Sequence, residues 1–296
     1  MKYFRTVILW SFALLFMLSC GNKDKSKTVQ DEAFDLQSYI DAAEAVNPGL
    51  NSVDQVMDIL DMVHAEYYDM LTNDPYSAHS YKTDFPIAAA NLGIYMTDII
   101  YHFFGEATED MYLSFSAAQE LAQFVGVESE FGKWTLERLE GTSVHKDTIT
   151  LIFNQLLQDS EKYNSEKEMI FVHTAFLTGS FVQKVYITGN ILQQKLMDEE
   201  ISQEEEADIR KLLVIYLNQL NPSAEVLYQA FSEQQEQLEG LVILTTFERL
   251  KDLSEKLIEL KPTLAVAPVS QIAEHEGLNQ SIELVEELRS VLVTPQ

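Results

Sequence analysis

The stretch PIAAANLGIYMTDIIYHFFG, residues 86–105, decides the fold. Proline stands where a first helical turn tolerates a residue without an N–H, and Gly105 closes the segment. Around Gly93 lie Ala89, Leu92, Ile94, Met96, Ile99 and Ile100, so every side of the predicted helix carries apolar residues. A helix that is hydrophobic all round is a buried one. The segment around Gly179 has the same character, with Phe176, Leu177, Phe181, Val182 and Val185. Two buried helices require others to cover them.

The remaining punctuation supplies those covers. Asn51 or Ser52 caps a predicted helix whose apolar positions Val53, Val56, Met57, Leu60, Val63 and Tyr67 recur at three and four until Asp74-Pro75 breaks it. Thr108 opens the next and Gly126 closes it, and a short one is expected over Ser129 to Glu140. Ser165 with Glu168, and Ser202 with Glu205, have the capping-box spacing that lets serine and acid satisfy each other's free amides. Asn221-Pro222 supplies a further cap and first-turn proline. Helical pattern continues to about Leu260, with a break near Gly240, and resumes from Ser270 to Val293 after the Pro262 to Pro268 connection. Hairpin signals between alternating segments are scarce. The pattern predicts an all-α fold, a multi-helix bundle of roughly eight to ten helices.

Aligned on their glycines, Ala89, Gly93, Tyr95 and Ile99 meet Ala175, Gly179, Phe181 and Val185 at a spacing of 86 residues. Either the chain carries two duplicated helical-hairpin halves, or apolar residues coincide by chance. Small residues also recur along one stripe, Ala175, Gly179, Val182, Tyr186 and Gly189, which predicts close approach of another helix there.

At the N-terminus, Lys2 and Arg5 precede an apolar run from Val7 to Leu18, the layout of a signal peptide. The run is shorter than the roughly 20 residues a spanning helix needs. It ends in MLSCGN, residues 17–22, which resembles the lipobox of bacterial lipoproteins. That resemblance implies cleavage after Ser19 and lipid on Cys20, leaving residues 1–19 as signal peptide. Residues 20–32 form a polar spacer with a reach of roughly 20 Å, and residues 33–296 form the helical domain. Gly21 after the cysteine favours the outer membrane over retention at the inner one.

Composition narrows the function. The chain holds 20 basic and 47 acidic residues, net −27, and the first 19 residues contain only Lys2 and Arg5, so the expected mature chain stands near −29. Such a balance repels polyanions, which argues against nucleic-acid binding, and leaves acyl chains rather than electrostatics to hold a bilayer. Cys20 is the only cysteine, so no internal disulfide or cysteine metal cluster is available.

Chemistry-bearing constellations are sparse. Asp98 and His102 stand one turn apart, the spacing of a metal or acid–base pair, although a histidine within YHFFG reads better as a packed residue. His64 with Asp61 has the same character. The acid-rich run from Asp198 to Asp208 lacks the alternating ligands and glycine of an EF-hand, and its Glu204, Glu205 and Glu206 read as a solvated first turn. HExxH, GxSxG, GxxxxGK, GxGxxG and CxxCH are all missing. We therefore expect no catalytic residues, no metal and no cofactor. The expectation is a membrane-anchored envelope lipoprotein that binds or scaffolds an envelope protein, the alternative being a carrier of an apolar small molecule in an interhelical pocket.

Overall fold

The computed structural model describes residues 60–61, 63–127, 170–197, 201–232 and 242–294. They form two 3-10 helices, η1 (Asp69–Leu71) and η2 (Pro75–Tyr81), and seven α-helices. These are α1 (Phe85–Phe104), α2 (Thr108–Val125), α3 (Ile170–Leu196), α4 (Gln203–Ser232), α5 (Val242–Leu264), α6 (Val269–Ala273) and α7 (Glu276–Val293). No strand occurs among the described residues, so the all-α bundle is established. Nor is any of these helices long and apolar enough to cross a membrane. The signal peptide, Cys20, the spacer, the predicted helix at Ser129 to Glu140, the Ser165–Glu168 box and Gly240 lie outside the described residues.

Helices α1 and α3 are the centre. Every residue of α1 from Ala88 to His102 is buried, as is every residue of α3 from Val172 to Val185. They pack on each other; α2 and η2 cover α1, while α4 and α7 cover α3, and α5 lies over α4 and α7. A Cβ built on Gly93 would overlap the carbonyl oxygen of Phe176 and lie 2.8 Å from the backbone nitrogen of Ser180. One on Gly179 would overlap the carbonyl oxygen of Ala90 and lie 2.9 Å from its Cα. The contact is reciprocal, since Ala90 and Phe176 each stand three residues before a glycine. A single crossing thus accounts for both glycines, without requiring the two segments to share an origin. The stripe on α3 divides its work: Gly179 meets α1, whereas Gly189 meets Tyr216 of α4 and Ile282 of α7.

Local signals act largely as their chemistry dictates. Asp84 caps α1 by accepting from the N–H of Ile87, with proline in the first turn. Gly126 ends α2 at φ 84°, in the left-handed region that glycine enters without strain. The Ser202 N–H donates to Glu205 Oε2 at 2.7 Å and the Glu205 N–H to Ser202 Oγ at 3.2 Å, completing the capping box; these bonds hold the Glu205 carboxyl below its usual range.

Four boundaries differ from expectation, the simplest being that α5 runs through Pro262 to Leu264 and shortens the expected Pro262 to Pro268 connection. Asn221-Pro222 opens no new helix, because α4 runs unbroken from Gln203 to Ser232. Proline removes one backbone hydrogen bond, and burial of Leu217, Leu220, Ala224 and Leu227 on the flanking turns outweighs it. The final segment is two helices, since the His275 ring accepts from the Leu278 N–H and starts α7 afresh. The first predicted helix stops early: Leu60 and Asp61 are helical, but His64 turns out at φ 46° and Ala65 to Tyr68 are irregular.

Candidate functional site

Among the polar residues of the largely apolar α1, Tyr95, Asp98, Tyr101 and His102 share one face at helical spacing. All four reach the same loop. The Tyr95 hydroxyl donates to the Asp74 carbonyl at 2.7 Å, and Asp98 Oδ2 accepts from the Asn73 N–H at 2.9 Å. The Tyr101 hydroxyl accepts from the Tyr68 N–H at 2.8 Å, and His102 Nδ1 lies 2.8 Å from the Tyr67 hydroxyl. The loop from Tyr67 to Asp74 therefore runs antiparallel to α1, fastened at both ends.

The fastening extends through the core. Gln183 of α3 donates through Nε2 to Asp98 Oδ1 at 2.6 Å and to the Leu71 carbonyl at 2.8 Å. Its Oε1 accepts from Arg289 Nε of α7 at 2.7 Å, and the guanidinium stacks 4.5 Å from the centroid of the Tyr186 ring. Asn91 donates to the Leu292 carbonyl at 2.8 Å and the Tyr81 hydroxyl to the Val293 carbonyl at 2.9 Å. Helix-end carbonyls lack partners within their own helix, so these side chains tie the end of α7 into the same assembly.

Burial sets the electrostatics. Asp98 has no exposed surface; desolvation raises its carboxyl from an ordinary 3.8 to about 7, opposed by the Asn73 N–H, by Arg289 and by Gln183. Desolvation likewise brings His102 down to about 4, so its ring is neutral at physiological pH. Tyr67 is pushed up to about 12 by burial and by nearby acids.

The sequence set Asp98 and His102 side by side as a possible pair, and the structure gives them separate partners. His102 Nε2 lies 3.0 Å from Ser114 Oγ, which with Tyr67 makes a Tyr–His–Ser chain. Serine beside histidine has the outline of a nucleophile and base. Ser114, however, is wholly buried and His102 nearly so, and a substrate carbonyl would have no route to Oγ. The chain does structural work, with the Tyr67 ring lying flat against Gly105. His64 and Asp61 meet through their backbones, the His64 N–H donating to the Asp61 carbonyl at 3.2 Å. No group of three or more metal-ligating side chains occurs among the described residues.

Two side chains face outward here, one in the loop and one in the η2 helix that follows it. Met70 of η1 is 74 % exposed and Tyr76 of η2 is 72 % exposed. Beside the loop opens a cleft of about 410 Å³, with His64, Glu66 and Tyr68 on one wall, Ile191 and Lys195 of α3 on another, and Ser202, Glu204, Glu205 and Asp208 at the start of α4. Comparison with protein-family models, with curated proteins and with solved structures finds no match for the chain.

Asn73, Gln183 and Arg289 escaped the sequence reading because their partners lie far along the chain, Gln183 85 and Arg289 106 positions from the groups they bind. The legible signal was the polar stripe itself: hydrogen-bonding groups gathered on one face of a largely apolar, buried helix must meet something polar.

Proposed function

We propose that this chain is a cell-envelope lipoprotein, anchored through lipid on Cys20, that binds a partner protein of the envelope through the loop from Tyr67 to Asp74 and the η2 helix that continues it. The observation that carries the reading is the four-point attachment of this loop to α1, beside which Met70 and Tyr76 remain largely in solvent. Buried polar groups are costly unless each is paired, so a fold that commits Tyr95, Asp98, Tyr101 and His102 to one irregular segment holds that segment in a single shape. A preformed loop loses little entropy on binding, and exposed tyrosine and methionine are the side chains enriched where proteins meet. The expected charge of the mature domain favours a partner surface with basic residues around its apolar contact.

Transport of an apolar molecule between helices is the weaker reading. Backbone meets backbone where α1 crosses α3, which leaves no volume there, and the cleft beside the loop is rimmed by carboxylates.

Exchanging Met70 and Tyr76 together for serine tests the proposal. Both side chains are exposed, so the thermal melt should be unchanged, while a protein that co-purifies with the wild-type chain from detergent-solubilised envelope should be lost. Retention of that protein by the double variant would move the contact elsewhere.

A further inference from the structure

We propose that His275 is a pH-sensitive cap on the corner between α6 and α7, closing the corner while its ring is neutral and releasing it when the ring takes up a proton. Only Glu274 and His275 separate the two helices. The His275 backbone is extended, at φ −72° and ψ 107°, and its ring turns back over the first turn of α7, where Nδ1 accepts from the Leu278 N–H at 3.2 Å. The same N–H reaches the His275 carbonyl at 3.0 Å, and Asn279 donates through Nδ2 to the Ala273 carbonyl at 3.0 Å. The ring is thus the one side chain that caps the start of α7.

Helix starts are usually capped by serine, threonine, aspartate or asparagine, whose oxygens accept throughout the neutral range. An imidazole nitrogen accepts only through its lone pair. A neutral ring that accepts at Nδ1 carries its hydrogen on Nε2, so the proton that charges the ring must go to Nδ1. Protonation therefore turns the acceptor into a donor that faces another donor. It also sets a positive charge against the free N–H groups of a helix start, where the dipole opposes it. Both consequences follow from where the ring sits, and histidine makes this change between pH 5 and 8.

The charged groups nearby leave that direction intact. Glu274 and Glu276 flank the ring in sequence, so they attract its proton in the open corner as in the closed one; the next ionisable residue on α7 is Glu283. From α5, Leu253 and Leu257 approach the first turn of α7. Of the ionisable residues on those turns, Asp252 and Glu255 are paired with Lys251, and Lys256 and Glu259 are exposed. Helix α3 runs antiparallel to α7, with Gly189 against Ile282 and Gln183 against Arg289. Its last turn lies toward the corner and carries Lys195, a cation that opposes a second positive charge. Arg210 of α4, which donates to the Ala265 carbonyl ahead of α6, acts in the same sense.

Opening the corner thus takes up a proton, and the opening constant rises as pH falls through the histidine range. The whole change is about fivefold, the worth of a typical helix cap. Acid loosens α7 at its start, whereas its far end stays held through the Leu292 and Val293 carbonyls by Asn91 and Tyr81.

Residue-resolved hydrogen exchange on the full chain in detergent micelles, corrected for the intrinsic pH dependence of amide exchange, tests the cap between pH 8 and pH 5. Protection of the Leu278 amide is expected to fall about fivefold over this range, while that of the Glu205 amide, capped by the Ser202 hydroxyl at the start of α4, stays level. His275→Asn keeps an accepting side chain and removes the titration, so its Leu278 profile should be flat, near the wild-type value at pH 8. Ring nitrogen chemical shifts need no variant and should show hydrogen on Nε2 and none on Nδ1 at pH 8. Leu278 protection that stays level or rises on acidification overturns the cap, as does a slope that survives in His275→Asn or a neutral ring with its hydrogen on Nδ1.

Discussion

The Asn73 N–H lies 2.9 Å from Asp98 Oδ2 inside the protein, joining an irregular loop to the buried helix α1 through a carboxyl with no exposed surface. Helix α1 thereby serves two purposes, as a core element by its apolar faces and as a rail for the loop by its polar stripe.

Stability should carry the mark of this carboxyl. A group whose pKa is raised by folding contributes stability that is complete below its ordinary value and is lost as pH rises to the folded one, for Asp98 between 3.8 and about 7. The buried rings of His102 and His173, both brought down to about 4, contribute in the opposite direction, so the decisive quantity is a difference. The destabilisation produced by Asp98→Asn should shrink by about 2 to 3 kcal/mol between pH 5 and pH 7. Denaturant titrations of the two proteins at both pH values measure it, and a pH-independent difference would show that Asp98 is ionised throughout.

The crossing of α1 and α3 admits no side chain at its glycines. Gly93→Ala and Gly179→Ala should each lower stability by about 3 kcal/mol or more, because the atoms in the way are backbone and can yield only if the helices part. Gly189→Ala offers the contrast: its added Cβ would meet the Tyr216 ring at 3.0 Å, a side chain that can shift, and the loss should be smaller. Thermal melts of the three variants rank them, and equal losses would refute the backbone contact.

Tyr81→Phe removes one hydroxyl and leaves the Val293 carbonyl without its donor. An unpaired, part-buried acceptor costs about 1 to 3 kcal/mol. The melting temperature should drop accordingly, with the helical circular dichroism unchanged; a neutral substitution would mean that the end of α7 is not held by this bond.

The lipoprotein proposal places membrane attachment on Cys20 alone. Cys20→Ala should move the protein from the membrane to the soluble fraction and abolish fatty-acid labelling, and a wild-type chain that takes up no label would end the lipoprotein proposal.

Much of the fold was legible because its determinants are local. Residues apolar on all sides of Gly93 and Gly179 can belong only to buried helices, and the Ser202–Glu205 box and the left-handed Gly126 are read from neighbours a few positions away. Where the reading slipped, a long-range contact had overruled a local pattern. Val63 and Tyr67 keep helical spacing, yet Tyr67 and Tyr68 are taken by His102 and Tyr101. Pro222 signals a helix start, yet the leucines on either side hold one helix through it. The site was harder still: Asp98 and His102 were visible as a pair on one turn, but Asn73, Gln183 and Arg289, which determine what Asp98 does, are joined to it only by the packing of α1, α3 and α7.

The central claim is that the loop fastened to α1 is the surface offered to a partner. Photo-cross-linking in living cells tests it most directly, with a benzophenone side chain placed in turn at Met70, at Tyr76 and at the exposed Arg249 of α5. The account predicts one discrete adduct, the same at positions 70 and 76 and missing at 249; an adduct at 249 with none at 70 or 76 would contradict it.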